Sequence, residues 1–523
     1  MKDTLPRVTY SNITADFSSV HELLGQRIDA VTQALGKFHP NVIGGQPSGD
    51  GQRYEAHSPI DHRMLLGSFI STDKTGVHAA VQAARSASEA WAKKPWQQRI
   101  ATLRNVAKAI EREKYDLAAV CLLEVGKSRM EAMGEVEEAI DLIGYYCDEM
   151  EANNGYVRPL RRALEQESTL DILRPVGVFG VIVPFNFPVA LAIGMLTGAL
   201  LGGNTVVFKP SPLAGLTGSH IARLFQQGGI PDGALNLVCG DAGTGQAMLD
   251  HAGIDGFAFI GSHAVGMHIL RSVAAGRYNR PVIIEMGGKN PSYVTRHADL
   301  DTAAEGVMRS AFGLQGQKCS SGSKVYVHDS VFDAFMQLLL DKSKALHIGN
   351  PADQQVFMGP VINEKAGERF VRACEDARRE GNIVLGGARL SGGLFDHGVY
   401  VQPTIVTGLP AAHRLHKEEL FLPFLCAQPF DTLAAAIRDG NDIDYGLTAG
   451  VYTTDASELD YFLAHAEAGA LYANRASGAT TGAWPGVQTF CGWKGSGTTS
   501  KGGLGPYYVP QFMREQSHTL MNA

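Results

Sequence analysis

The chain has 523 residues, 45% of them hydrophobic and 19% charged, a composition that suits two or three buried cores and excludes disordered and fibrous proteins. Its formal net charge is -7 at pH 7, and its pI is near 6.2. The sequence contains no basic stripe with interleaved aromatic residues, and we therefore expect no nucleic-acid partner.

The first half of the chain predicts helices around a buried strand-helix-strand unit. Residues 73–128 contain alanine-rich segments with helical periodicity, which is typical of helices that cover a parallel sheet. Residues 175–208 contain no charged residue and exceed the length of a membrane span. Because Pro184, Pro188 and the turn at 202–204 divide this stretch, we expect strand, helix and strand, and no membrane partner.

The second half of the chain repeats the alternation of helices and strands. Residues 333–346 and 368–381 have the periodicity of amphipathic helices, whereas residues 323–328 and 399–406 have the composition of strands. The pattern predicts a second α/β domain, with an active site in the cleft between the two domains.

Cys319 is the first candidate for chemistry, within the sequence FGLQGQKCSSGS at 312–323. Its neighbours are small or polar, and Gly313, Gly316 and Gly322 let the backbone approach a ligand closely. A structural cysteine more often lies among branched aliphatic residues. The local sequence alone leaves both interpretations open, because a single cysteine needs partners.

Two polar residues upstream are candidate partners. Glu285 ends an apolar run and precedes a Gly-Gly turn, where a carboxyl group held out of water has a raised pKa that suits a general base. Asn186 lies between Pro184 and Pro188, where a fixed amide can face an oxyanion. Each also has an ordinary alternative, since Glu285 can cap a turn and Asn186 can form one.

Six short sequences in a fixed order favour the catalytic interpretation. They are P-F-N-F-P at 184–188, F-K-P-S at 208–211, F-I-G-S-x-x-x-G at 259–266, E-M-G-G-K-N at 285–290, G-Q-K-C at 316–319 and E-E-L-F at 418–421. In this order they resemble the aldehyde dehydrogenase superfamily. The resemblance implies an α/β fold of two Rossmann-like doubly wound domains with a small β oligomerisation extension.

The resemblance also implies domain boundaries. A cofactor-binding domain would comprise residues 1–151 and 172–285, and a catalytic domain would comprise residues 286–490. Residues 152–171 would form a hairpin that joins residues 506–523 in the oligomerisation extension. A homodimer or a higher homo-oligomer is the expected assembly.

The catalytic roles follow from the same resemblance. Cys319 would attack an aldehyde carbon, and the oxyanion would be held by the Asn186 side chain and the Cys319 backbone N–H. Loss of hydride to a nicotinamide would leave a thioester, which a water activated by Glu285 would hydrolyse to a carboxylic acid. No metal site is expected, because the cysteines form no zinc-type pair.

The cofactor site is predicted from the resemblance, because no complete G-x-G-x-x-G occurs and the nearest match at 243–245 lacks its third glycine. The implied cofactor residues are Phe185, Lys209, Ser211, Gly261, Ser262, Gly266, Glu419 and Phe421. Many NAD-preferring members carry an acidic residue where this chain has Pro212. Without that carboxylate nothing repels a 2'-phosphate, and Ser211 and Lys209 can receive it. We therefore expect NAD or NADP, with NADP accepted.

A glycine-rich loop at 474–501 indicates the substrate class. It resembles the anchor loop of 1-pyrroline-5-carboxylate dehydrogenases, which oxidise L-glutamate γ-semialdehyde. In that loop, successive backbone N–H groups form a concavity for the substrate carboxylate. The resemblance implies a substrate site formed by Ser320, Gly482, Ala483, Phe187 and Phe490.

Two other functions remain open at this point. Trp484, Pro485, Thr489 and Cys491 depart from the subfamily pattern, so another semialdehyde, or an aliphatic or aromatic aldehyde, is a second interpretation. A non-catalytic structural or binding protein is a third. The third is disfavoured because the nucleophile, the base and the amide are all retained.

The cysteines indicate the compartment. Seven scattered cysteines form no disulfide framework, which points to reducing conditions. The first residues, MKDTLPRVTYSN, contain no charged segment followed by an apolar one, so no secretory signal is apparent. A cytoplasmic location is expected. Cys491 is interpreted either as an inert small hydrophobic residue or as an oxidisable partner of Cys319.

Overall fold

The structure is a computed structural model that describes residues 7–12, 15–476 and 483–521. Within these residues the chain forms fourteen α-helices and twenty-two β-strands. The helices are α1 Ser18–Gln33, α2 Lys74–Lys93, α3 Trp96–Arg112, α4 Lys114–Val125, α5 Arg129–Ala152, α6 Ala190–Leu201, α7 Gly215–Gln227, α8 Ala242–Asp250, α9 His263–Ala274, α10 Leu300–Phe312, α11 Phe332–Lys344, α12 Glu364–Glu380, α13 Leu433–Asn441 and α14 Ala456–His465. The strands are β1 Lys37–His39, β2 Asn41–Ile43, β3 Gln46–Ser48, β4 Gln52–His57, β5 Leu65–Ser71, β6 Val157–Pro159, β7 Glu167–Pro175, β8 Val178–Ile182, β9 Thr205–Lys209, β10 Leu235–Leu237, β11 Gly256–Gly261, β12 Val282–Met286, β13 Asn290–Val294, β14 Gly322–His328, β15 Asn382–Leu385, β16 Thr404–Thr407, β17 Phe424–Phe430, β18 Tyr445–Gly446, β19 Thr448–Tyr452, β20 Ala470–Ala473, β21 Trp493–Lys494 and β22 Met513–Met521.

Seven strands form the first large sheet, in the order β12-β11-β8-β9-β10-β2-β3. The strands from β12 to β10 are parallel, whereas β2 and β3 are antiparallel and lie at one edge. The parallel part starts at β8, continues outward through β9 and β10, and then crosses to β11 and β12. The order reverses between β8 and β11, which is the switch point where doubly wound sheets bind ligands beyond their carboxyl ends.

Side chains of this sheet alternate between two cores. Phe179 and Phe208 face a core that includes α3 to α7, whereas Val178 and Val207 face a core that includes α2, α8 and α9. Because both faces of a parallel sheet are buried, β8 is apolar along its whole length. The uncharged stretch at 175–208 thus forms strand, helix and strand as predicted. Among the described helices, none combines the length and the hydropathy that a membrane span requires.

The second large sheet has the order β15-β16-β17-β14-β13-β19-β20. Its neighbouring strands are parallel except β15 with β16. Helices α10 and α11 cover Val325 and Val327 on one face, and α13 and α14 cover Tyr326 on the other. The two sheets confirm the predicted α/β fold with two doubly wound units.

One predicted strand is shorter than expected. The sequence predicts a strand over 399–406, whereas β16 begins at Thr404 and Val401 forms an isolated bridge. The intervening Pro403 has no N–H group to donate to a ladder, which explains the late start.

A third sheet, in the order β22-β7-β6, projects from the first domain. Strand β22 pairs with β7 from Met513 opposite Pro175 to Met521 opposite Glu167. The hairpin and the C-terminal segment that were expected to form one extension therefore lie side by side. Strand β7 spans Glu167–Pro175. Strands β1, β5 and β4 form a further small sheet, and β18 pairs with β21.

Asn204 joins three parts of the fold at the turn between α6 and β9. Its side-chain oxygen accepts hydrogen bonds from the backbone N–H groups of Val176 and Gly177, at 2.7 and 2.9 Å. Its side-chain nitrogen donates to the carbonyl oxygens of Ala199 and Phe512, at 2.9 and 2.8 Å. The side chain is fully buried, so these bonds are shielded from water.

Replacement of Asn204 by alanine is expected to lower the thermal unfolding midpoint. The change leaves buried backbone groups unpaired, at a cost of about 1–3 kcal/mol each. Asn153→Ala is the control, because the Asn153 amide donates one bond, to the Glu149 carbonyl at the end of α5, and we expect a change below about 1 kcal/mol. Calorimetry measures both variants, and equal midpoints would contradict the role of Asn204.

Candidate active site

Two predicted catalytic residues, Cys319 and Glu285, meet where the two large sheets meet. Strand β12 ends at Met286 and β13 begins at Asn290, so residues 287–289 alone connect the sheets at this point. Cys319 lies in the loop before β14, whose first residue pairs with the first residue of β13. The cysteine loop therefore lies against the carboxyl end of β12, which carries Glu285.

The Cys319 thiol donates to the Glu285 carboxyl group, with a sulfur to Oε1 distance of 3.9 Å. Burial raises the pKa of Glu285 to about 8, and the contact with the thiol offsets part of that rise. Burial also raises the pKa of the Cys319 thiol well above its ordinary value, and the charges of Glu285 and Glu419 add to it. Once ionised, Glu285 can accept a proton from the thiol or from a water, as nucleophilic and general-base catalysis require.

Asn290 fixes the backbone of the cysteine loop. Its Nδ2 atom donates to the carbonyl oxygens of Cys319 and Ser321, at 2.8 and 2.9 Å. Its Oδ1 atom accepts from the Thr448 N–H at 3.0 Å. We assigned Asn290 no role from the sequence, although its place directly after the Gly-Gly turn in E-M-G-G-K-N was an available signal.

The Gly-Gly turn is required for close approach. A Cβ atom at Gly287 would lie 1.9 Å from the Glu419 carboxylate, and one at Gly288 would lie 2.6 Å from the Cys319 carbonyl oxygen. The Gly288 N–H instead donates to Glu419 Oε1 at 3.1 Å. Burial raises the pKa of Glu419 to about 7. Two predicted residues, Glu419 of the cofactor site and the nucleophile, are thus held against one turn.

A cavity of about 110 Å³ opens at the thiol and the carboxyl group. Six predicted residues line it: Cys319, Glu285, Phe187, Ser320, Ala483 and Phe490. Gly482, the other predicted anchor residue, lies outside the described residues. The structure thus brings the catalytic pair and most of the predicted substrate residues around one space.

Several polar residues that we did not predict also line this cavity, among them Tyr10, Glu138 and Lys318. The Tyr10 hydroxyl donates to Glu138 Oε2 at 2.9 Å, and burial raises the pKa of Glu138 to about 8. Lys318 is 6% exposed, and burial lowers its pKa. Lys318 could have been found as the neighbour of the nucleophile, whereas Tyr10 and Glu138 are remote in sequence and offer no local signal.

A second cavity of about 250 Å³ lies beside the first and shares Tyr10, Phe187 and Lys318 with it. Its wall carries four basic side chains and one acidic side chain: Lys127, Arg129, Arg309, Lys318 and Glu131. Ion pairs with Glu135 and Glu305 offset the charges of Lys127 and Arg309. The remaining positive charge comes from Arg129 and Lys318 against Glu131 and therefore favours an anionic ligand only weakly.

Asn186 lies in the turn between β8 and α6 and is 3% exposed. It is absent from the lining of the catalytic cavity, and its side chain has no hydrogen bond to another described residue. The turn lies beyond the carboxyl end of β8, at the switch point of the first sheet. The structure therefore places Asn186 at the carboxyl edge of the first sheet, without a hydrogen bond to Cys319.

Predicted cofactor residues occupy the same edge. Lys209 ends β9, and Gly261 ends β11 directly before Ser262, the residue that precedes α9. The Ser262 side chain makes no capping hydrogen bond, so the N-terminus of α9 can receive a phosphate. A Cβ atom at Gly266 would lie 2.5 Å from Met286 Sδ, so only glycine lets α9 pack this close to β12.

The remaining cofactor residues flank this edge. Lys209 Nζ donates to the Pro210 carbonyl at 3.2 Å, and burial lowers the pKa of Lys209 to about 8. The rings of Phe185 and Phe421 meet edge to face with centroids 5.9 Å apart. Phe421 has a φ of 59°, an unusual value for an aromatic residue. The Ser211 hydroxyl oxygen accepts a hydrogen bond from the Leu213 backbone N–H at 3.2 Å.

Two departures in the substrate loop do not narrow the catalytic cavity. Trp484 Nε1 donates to Asp141 Oδ2 at 2.8 Å, which ties the loop to α5. The Cys491 thiol donates to the Gly469 carbonyl at 3.3 Å. Neither residue lines the cavity, and all seven cysteines are free.

Residues 46–517 match the model of the aldehyde dehydrogenase family. The chain belongs to this family. It is 32% identical over 514 residues to 1-pyrroline-5-carboxylate dehydrogenase 1 of Halalkalibacterium halodurans, with 97% of each chain covered. It is 33% identical over 444 residues to the alpha-ketoglutaric semialdehyde dehydrogenase of Bacillus subtilis, which covers 84% of this chain and 90% of that one. The structure of 1-pyrroline-5-carboxylate dehydrogenase from Thermus with bound NAD has a TM-score of 0.93, 31% identity and 100% coverage of both chains.

The pKa of Glu285 predicts the pH dependence of this aldehyde dehydrogenase. Because only the ionised carboxylate can accept a proton, kcat/KM should rise with pH through an apparent pKa near 8. Initial rates across the neutral and alkaline range measure the profile. The rise near pH 8 should disappear in Glu285→Gln, leaving a rise only at the higher pH at which the buried thiol ionises by itself. It should persist in Glu138→Gln, whose carboxyl group has a similar pKa. A rise near pH 8 that persists in Glu285→Gln would contradict the assignment.

Proposed function

We propose that the protein oxidises L-glutamate γ-semialdehyde, the open form of 1-pyrroline-5-carboxylate, to glutamate with NAD or NADP. The observation that carries this proposal is the catalytic cavity, which joins the Cys319 and Glu285 pair to Ser320 and Ala483 of the carboxylate anchor. The dehydrogenases from Halalkalibacterium halodurans and Thermus, named for this substrate, support it.

The reaction begins at the sulfur. Cys319 Sγ adds to the aldehyde carbon, and the thiol proton passes to ionised Glu285, 3.9 Å away. The carbonyl oxygen becomes an oxyanion, which the Asn186 side chain and the Cys319 N–H stabilise. Because the Asn186 amide is free of hydrogen bonds to described residues, its N–H groups can donate to this oxygen.

The residues at the switch point suit a dinucleotide. The N-terminus of α9 follows β11 and offers N–H groups to a pyrophosphate, and the buried Lys209 side chain lies at the end of β9, two strands away in the sheet. A bound NAD or NADP would supply the hydride acceptor, so that the thiohemiacetal could become a thioester. Phe185 and Phe421 provide an apolar wall for a ring at this edge.

Glu285 completes the reaction by activating water. After the carboxyl group releases its first proton to solvent, it accepts a proton from a water whose oxygen attacks the thioester carbon. The carbon–sulfur bond breaks, the product leaves as a carboxylic acid, and the sulfur recovers its proton. A carboxyl group with a pKa near 8 is well matched to this second proton transfer.

The polar residues of the cavity suit the amino-acid end of the substrate. Ser320 and Ala483 line the part of the cavity proposed for the carboxylate, and Lys318 adds a positive charge to the cavity wall. Glu138 would receive the ammonium group, because a cation favours the ionised form of a carboxyl group whose pKa is raised by burial. The second cavity would attract the anionic end of the substrate only weakly.

A second candidate is another carboxylate-bearing semialdehyde. The Bacillus subtilis relative named for alpha-ketoglutaric semialdehyde supports it. That substrate carries a carboxylate and no ammonium group, so it would leave Glu138 without a cationic partner. The presence of Glu138 in the cavity therefore favours glutamate semialdehyde.

NADP acceptance rests on Pro212, which leaves no carboxylate beside Ser211 to repel a 2'-phosphate. The Ser211 oxygen accepts one N–H bond, and its hydroxyl hydrogen can still donate to a phosphate oxygen.

We further propose that the protein acts as a homo-oligomer in the cytoplasm. Strand β22 exposes Leu520 and Met521, and the connection between β6 and β7 exposes Leu160 and Leu164; a second copy would cover these apolar side chains. The seven free cysteines support a reducing compartment.

Turnover of several aldehydes tests the proposed substrate. Racemic 1-pyrroline-5-carboxylate should give a kcat/KM at least about tenfold above succinic semialdehyde and hexanal, because only it satisfies both charged groups of the cavity. Cys319→Ala should abolish turnover, and Cys491→Ala, the matched control, should retain it. A preference for hexanal would contradict the substrate, and turnover by Cys319→Ala would contradict the mechanism.

Comparison of the two cofactors tests the role of Pro212. The wild-type protein should reduce both NAD and NADP. Pro212→Glu should lower kcat/KM for NADP at least about tenfold and leave that for NAD nearly unchanged, because the new carboxylate repels the 2'-phosphate. Pro212→Gln is the uncharged control. A wild-type efficiency with NAD far above that with NADP would contradict this interpretation.

A further inference from the structure

Lys127 and Glu135 form an ion pair in the interior of the first domain. The distance from Lys127 Nζ to Glu135 Oε2 is 2.5 Å, and both side chains are 0% exposed. Two charges so far from water persist only when further hydrogen bonds satisfy them. The further partners of this pair are therefore informative.

Glu135 binds the start of α6. Its Oε1 atom accepts from the backbone N–H groups of Val189 and Ala190, at 2.7 and 3.1 Å. The helix has no capping side chain of its own, so the carboxylate supplies the negative charge that a helix N-terminus favours. Oε2 accepts from Lys127 and from the Cys121 thiol, the latter at 3.2 Å.

Lys127 contacts the turn that precedes α6. Its Nζ atom lies 3.6 Å from the centroid of the Phe187 ring, a cation–π contact. Phe187 directly follows Asn186 and directly precedes Pro188. The ion pair therefore contacts residues 187–190 at the Phe187 ring and at the backbone N–H groups of Val189 and Ala190.

Asn186 itself has no such anchor. Its side chain has no hydrogen bond to another described residue, so its direction depends on the backbone that carries it. Close to Asn186 in the sequence, Lys127 contacts the Phe187 ring, and Glu135 accepts hydrogen bonds from the N–H groups of Val189 and Ala190.

We propose that Glu135, with Lys127, is a positioning residue for the oxyanion donor Asn186. The pair fixes the turn between β8 and α6 so that the amide of Asn186 is oriented before the substrate arrives. This inference rests on the oxyanion role given to Asn186 in the proposed function. It assigns a purpose to a buried ion pair that takes no part in the proposed chemical steps.

A double-mutant cycle between Glu135→Gln and Asn186→Ala tests the proposal. Glu135→Gln should lower kcat at least about tenfold. This loss is smaller than that expected from removing a whole oxyanion donor, which is about 100-fold or more. The KM for the cofactor should stay within about twofold of the wild-type value. In the Asn186→Ala background the same change should have almost no further effect on kcat. A merely structural role would lower kcat by the same factor in both backgrounds.

The double variant Lys127→Gln, Glu135→Gln is the control for misfolding of the single variant. It removes both charges together, so no unpaired charge is left in the interior, and it should show the same coupling to Asn186. Thermal unfolding midpoints and the fraction of protein with a functional active site, measured by active-site titration, show whether each variant is folded.

Glu124 provides a matched control. This 1% exposed carboxyl group caps α7 by accepting from the N–H groups of Leu216 and Thr217, at 2.7 and 2.8 Å. Glu124→Gln should leave kcat within about twofold.

The outcomes separate the inference from the proposed function. Equal factors for Glu135→Gln in both backgrounds, or a loss of kcat in Glu124→Gln as large as in Glu135→Gln, would overturn the positioning role and leave the proposed function intact. Unchanged kcat in Asn186→Ala alone would overturn the oxyanion role and the inference with it.

Discussion

The short connection from β12 to β13 joins an edge strand of the first large sheet to an interior strand of the second. Residues 287–289 leave no room for a longer turn, so the end of β12 and the loop before β14 come into contact. Glu285 therefore lies 3.9 Å from the Cys319 sulfur. The same turn brings Glu419 against the Gly288 N–H. Base, nucleophile and cofactor-site carboxylate thus all depend on a turn whose first two residues must lack a Cβ atom.

Burial gives the carboxyl groups at this junction their chemical character. The pKa values of Glu285 and Glu138 rise to about 8, and that of Glu419 to about 7, because each carboxyl group is held out of water. Each becomes an effective anion when a partner or a higher pH favours ionisation. Glu135 has different partners, namely Lys127 and two backbone N–H groups.

The sequence predicted those features that depend on local pattern. The helices at 73–128, the uncharged strand-helix-strand unit, and the placement of Glu285 and Cys319 at one cavity were all accessible from periodicity or from short motifs. Contacts between remote segments were not. Tyr10 meets Glu138 only after α5 packs beside the N-terminal segment, and Glu135 reaches Val189 only through tertiary packing. Asn290 lay within a quoted motif, but its bonds to the cysteine loop depend on strand register.

Trapping the covalent intermediate tests the central claim most directly. In Glu285→Gln the base for water is absent, so the thioester on Cys319 should form and persist. The variant would be incubated with 1-pyrroline-5-carboxylate and NAD at alkaline pH, where the thiol can ionise without Glu285, and its intact mass and peptides would be measured. The account predicts an acyl adduct on the peptide that contains Cys319, together with one equivalent of reduced cofactor per active site. Reduced cofactor without an adduct, or an adduct on another cysteine, would contradict it.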